Sequence, residues 1–108
     1  MSYGKLVRDN IPGIITGNGE EPITRILSKT EYKVELEKKL LEECNEVLEA
    51  SNESRVEELA DLLEVMIALG KIEGKTFQDI IEKCEAKRIL CGSFDQMIYL
   101  EDVHKKVM

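Results

Sequence analysis

The chain has no tryptophan and a single histidine, His104. One imidazole argues against a His-based zinc site and against a Ser–His triad. Cysteine is scarce and odd in number: Cys44, Cys84 and Cys91, with no Cys-x-x-Cys pair. The N-terminus, Met1-Ser-Tyr-Gly-Lys-Leu-Val-Arg, carries no secretory pattern. A reduced, cytoplasmic chain is therefore expected, with Cys44 and Cys84 as small core residues. No run approaches the ~20 apolar residues of a membrane span, which excludes a membrane partner of that kind. Basic charge is also short. The net charge is −7 and no basic stripe stands out, so nucleic acid polymers are not expected partners.

What remains is a small helix-rich protein. At 108 residues it is read as one domain spanning 1–108. With 43% hydrophobic and 34% charged residues it is not a disordered composition. Residues 1–27 look irregular, with a short helical turn near Asp9-Asn-Ile-Pro and a loosely alternating Ile23–Leu27. Ser28-x-x-Glu31 is a capping-box signature, and a helix should run from there to about Ser51. Its apolar positions are Tyr32, Leu36, Leu40, Cys44 and Val47. Ser54-x-x-Glu57 offers a second capping box, for a helix ending near Ile72, before Gly74. Thr76-x-x-Asp79 offers a third, for a helix to about Leu90 with Phe77, Ile80, Ile81 and Cys84 inward. Gly92 should end it, and Phe94 to Leu100 could form a strand or an extended tail.

The second helix is apolar almost all round, apart from a stripe of Glu57, Glu64 and Lys71. Such a helix is normally buried, and three helices can hardly enclose it. The expectation is an all-α helical-hairpin bundle of three main helices with short irregular or extended ends, completed by oligomerisation as a homodimer or homotetramer.

Two acid pairs stand out on this hairpin, Glu43-x-x-Glu46 and Glu58-x-x-Asp61. Residues three apart share one side of a helix. Both pairs lie equally far from a turn near residue 52, which sets Glu43 opposite Asp61 and Glu46 opposite Glu58. At about 100° per residue, Asp61 falls between Ala68 and Ile72, and Glu58 between Val65 and Leu69. Glu43 falls between Tyr32 and Leu36. Charges rarely sit within apolar surface unless paired or coordinated. Lys39 could reach Glu43, but one cation cannot neutralise four acids. All-oxygen ligation selects hard cations, and Mg²⁺ commonly completes its shell with substrate phosphates. Glu43, Glu46, Glu58 and Asp61 are thus expected to bind Mg²⁺, with Mn²⁺ able to substitute.

The run Leu41-Glu-Glu-Cys-Asn-Glu46, followed by Glu58-Leu-Ala-Asp61, resembles the Glu-Glu-x-x-Glu … Glu-x-x-Asp signature of the all-α nucleoside triphosphate pyrophosphatases. That superfamily includes MazG-like proteins, dimeric dUTPases and phosphoribosyl-ATP pyrophosphatase. Lys5-Leu-Val-Arg-Asp-Asn-Ile-Pro and Arg25-Ile-Leu-Ser28 resemble the N-terminal segments of its small phosphoribosyl-ATP-pyrophosphohydrolase-like members. Lys87 … Gly92-x-Phe94 resembles their Lys-x-x-x-Arg-Gly-Gly-Phe segment. Two positions depart from that pattern: Cys91 stands where it has Arg, and Ser93 where it has the second Gly. A cysteine cannot replace a guanidinium on phosphate.

The resemblance implies hydrolysis of a nucleoside triphosphate between its α and β phosphates, giving a monophosphate and pyrophosphate. Glu42 or one of the ligands, such as Glu43, would accept the proton of the attacking water. Lys87, Arg8 and Lys5 would bind the phosphates. House-cleaning of noncanonical nucleotides and phosphoribosyl-ATP hydrolysis in histidine synthesis are both open on these residues. The competing class is a non-enzymatic helical interaction module, with the apolar second helix as its partner surface.

Overall fold

A computed structural model describes residues 4–107. The fold is all-α, with four helices in the order α1 (Ile11–Gly17), α2 (Lys29–Glu49), α3 (Asn52–Ile72) and α4 (Phe77–Cys91). Among the described residues there is no strand, so the alternating segments at 23–27 and 94–100 are irregular chain. Two compact units divide the chain, residues 1–76 and 77–108.

The first unit is built on the hairpin of α2 and α3. Its start follows the local pattern closely. The Ser28 hydroxyl accepts from the Glu31 amide at 3.2 Å, and the Glu31 carboxylate accepts from the Ser28 amide at 3.3 Å. These reciprocal bonds satisfy two donors that a helix start leaves over. Arg25 then pairs with the Glu31 carboxylate at 2.8 Å. Leu36 is buried, and Tyr32, Leu40, Cys44 and Val47 are half-buried, on the expected face.

The turn is tighter than the second capping box implies. Helix α3 begins earlier, at Asn52, with Ser51 as its N-cap and no side-chain cap bond. Asn52 holds φ at +55°, a conformation that asparagine tolerates better than most residues. The Arg55 side chain donates to the Ala50 carbonyl at 2.9 Å, closing the end of α2. So short a connection forces the helices antiparallel and fixes their register. At its far end α3 stops before Gly74, whose φ of +74° suits a residue without Cβ. Lys75 N–H returns to the Gly70 carbonyl at 2.9 Å.

Burial of α3 differs from expectation. Val65 is its one buried residue, while Leu59, Leu63 and Met66 are 40–46% exposed. One partner helix covers one face, and two antiparallel helices cannot do more for each other.

The second unit holds α4 and the segment after it. Ile80 and Ile81 are half-buried, but Phe77 and Cys84 are exposed, against the inward placement expected for them. A single helix has no second element in its own unit to close over it. Gly92, at φ +84°, ends α4, and its amide donates to the Arg88 carbonyl at 2.7 Å. Ser93 Oγ and Asp95 Oδ2 then meet at 3.0 Å in the next turn. No helix among the described residues is long and apolar enough to cross a membrane.

Candidate metal centre

The hairpin register brings the acids of α2 and α3 face to face. Glu43, Glu58 and Asp61 each offer one carboxylate oxygen, and the three oxygens lie within 4.8 Å of one another. Glu43 is 5% exposed, and Glu58 and Asp61 are half-buried. Glu46 stands outside this trio but adjoins it through Glu58. A hydrogen bond with Glu58, then burial and the Glu58 charge, push the Glu46 carboxyl above its ordinary range. Carboxylates that meet this closely share protons rather than ionise independently.

Glu43 combines burial with neighbouring negative charge. Burial comes first in raising its pKa, followed by the charge of Glu46, and Asp61 adds to it. Lys39 opposes the shift, with Nζ 3.5 Å from Glu43 and 3.8 Å from Glu42. That ammonium sits one turn back on α2 and is shared between two acids. The second cation comes from outside the hairpin. Arg8, ahead of α1, places a guanidinium nitrogen 2.7 Å from Asp61 Oδ1. Two unit charges therefore face Glu42, Glu43, Glu46, Glu58 and Asp61.

This balance leaves a specific deficit. Oε2 of Glu43 and Oε2 of Glu58 are buried and accept no hydrogen bond. A buried charged oxygen without a partner costs on the order of 1–3 kcal/mol or more. Both belong to the converging trio, and the donor set is entirely carboxylate oxygen. A hard divalent cation answers that deficit, and these residues fit one.

Other residues singled out by sequence fall elsewhere. Glu42 sits beside Lys39 and is 40% exposed, next to the trio rather than in it. Lys5 is exposed. Lys87 is exposed on α4, in the second unit. The Arg8–Asp61 pair was not legible in sequence. Its partners are 53 residues apart, and no local spacing links an irregular segment to a helix. Comparison with known protein families, with curated proteins and with solved structures found no match to this chain.

Proposed function

We propose that this chain is a Mg²⁺-dependent nucleoside triphosphate pyrophosphohydrolase, cleaving between the α and β phosphates. One observation carries the reading: buried Glu43, with an unpartnered oxygen, converges with Glu58 and Asp61 across the hairpin. Acids so placed are costly to the fold alone and useful once a dication joins them. Glu43, Glu58 and Asp61 would hold Mg²⁺ or Mn²⁺, with Glu46 joining through Glu58. The ion would polarise the phosphates and lower the pKa of an attacking water. Glu42, beside the trio and partly exposed, would take the proton from that water, with the Lys39 ammonium 3.8 Å from it.

The substrate is assigned by charge. An acidic protein accepts a polyphosphate only where a metal inverts the local field. Arg8 and Lys5 add positive charge on the first unit. Exposed thiols at Cys84 and Cys91 support a reducing, cytoplasmic setting.

A homo-oligomer belongs to the same proposal. Helix α2 exposes Val34, Leu41 and Leu48, each one heptad apart, and α3 exposes Leu59, Leu63 and Met66 at alternating four- and three-residue steps. Such seams suit further helices, and a second copy supplies them at the right spacing. The same seams would also serve an interaction module without catalysis, so the assay must separate the two. Purified chain with Mg²⁺ should release pyrophosphate from a panel of canonical and modified triphosphates and phosphoribosyl-ATP. Asp61→Asn should lose that release while keeping its helical content. No release from any nucleotide, with either ion, would leave only the interaction module.

A further inference from the structure

We propose that Arg8 and a divalent ion exchange at Asp61, so that the guanidinium released from the carboxylate becomes a contact for the anionic ligand. This rests on the metal reading of the acid trio. The two cations at the acid cluster are built differently. Lys39 stands on the helix that carries Glu43, one turn away, so its backbone is fixed beside that acid. Arg8 instead lies in the irregular chain before α1 and reaches Asp61 through its side chain alone. Among the described residues its backbone is held through its carbonyl, which accepts from Ile11 N–H at 3.0 Å.

Charge governs the response of Arg8 when a dication joins the trio. The guanidinium is 2.7 Å from an oxygen of Asp61, one of the three converging acids. A unit positive charge held within a few ångströms of a dication is strongly repelled, even at the effective dielectric of a protein surface. The Arg8–Asp61 pair has little to set against this. Its side chains are 56% and 46% exposed, and ion pairs so exposed contribute little net stability. Asp61 therefore turns from Arg8 to the metal. The released guanidinium stays within reach of the cluster's rim, where its planar donor fork matches phosphate oxygens. Arg8 thus opposes metal binding and favours the polyphosphate.

These opposite signs are the test. Mn²⁺ binding to full-length wild type and Arg8→Gln is measured at low ionic strength by the EPR signal of the unbound ion. Inorganic tripolyphosphate binding is then measured by calorimetry at saturating Mn²⁺. Exchange predicts Mn²⁺ binding tighter by about threefold or more in Arg8→Gln, and tripolyphosphate binding weaker. Arg8→Lys should restore tripolyphosphate binding in part. An Arg8 that merely orients Asp61 would give weaker Mn²⁺ binding on its removal; that result, or no change, overturns the exchange and leaves the metal reading standing. Failure of both proteins to bind Mn²⁺ would sink the metal reading itself, and the exchange with it.

Discussion

Glu31 and Glu43 stand on one helix, about three turns apart, and their surroundings treat the same carboxylate in opposite ways. Glu31 is exposed and well served: the Arg25 guanidinium and the Ser28 amide and hydroxyl hold its pKa at about 2. Glu43 is buried and short of partners, and burial pushes its pKa up. The first arrangement is what a helix start needs, since every group has a local answer. The second has one local partner, Lys39, which Glu42 shares, and one oxygen is left bare. Perturbed acids of this kind are candidates for a functional site, and the contrast singles out Glu43 rather than Glu31.

Activity gives the sharpest way to break the comparison. Glu43→Gln should lower pyrophosphate release at least ~100-fold, the scale of losing one charged group at a reacting centre. Glu31→Gln should change it by less than about twofold. Equal losses in both variants would show that the helix as a whole, not the buried acid, supports turnover. Ligand-linked stability comes next. Mg²⁺ at a hundred times its Kd should stabilise the wild type by about 2.7 kcal/mol. Thermal unfolding should show this shift intact in Glu31→Gln and gone in Glu43→Gln and Asp61→Asn.

Without a divalent ion the same sites should move stability in opposite directions by smaller amounts. Glu43→Gln removes an unpartnered buried charge and gives the neighbouring carboxylates an amide donor, so it should stabilise by about 1–2 kcal/mol. Ser28→Ala removes the N-cap and should destabilise by about 1 kcal/mol. Urea unfolding in EDTA checks both. A Glu43→Gln protein less stable than wild type would mean that Lys39 already satisfies the acid.

How much of the fold and the site was legible depended on how local each feature is. Ser28 and Glu31 are joined by three residues, so their box could be read directly. The facing of Glu43 with Asp61, and of Glu46 with Glu58, came from helical period and a short turn, both nearly rigid. The start of α3 was misplaced because the Asn52 conformation and the Arg55 cap outweighed a capping box at Ser54. Burial was least legible. Apolar Leu59, Leu63 and Met66 suggested an enclosed helix, but patterning states which residues avoid water, not how many chains do the covering. Phe77 and Cys84 are expected inward on the same reasoning and stand exposed. Arg8 on Asp61 is tertiary, and nothing in either segment encodes the other.

The smallest effect is also the most diagnostic, because its sign changes along the pH scale. Glu31 has a folded pKa of about 2, below the ordinary 4.5. The unfolded chain therefore binds its proton more tightly, and the stability it contributes is complete above pH 4.5 and fades as pH falls toward 2. Glu43 and Glu46 have folded values raised above 4.5. There the folded state binds protons more tightly, so stability is greatest below 4.5 and declines as pH rises through the raised values. In EDTA, wild type should therefore lose stability relative to Glu43→Gln as pH rises from 4.5, and relative to Glu31→Gln as pH falls below it. Saturating Mg²⁺ should reverse the first limb, since an ion binds only the ionised acids, and leave the second untouched. Urea unfolding of the three proteins between pH 3 and 8 reads both limbs. An alkaline limb unmoved by Mg²⁺ would mean that Glu43 is simply a buried acid, with no ion to complete it.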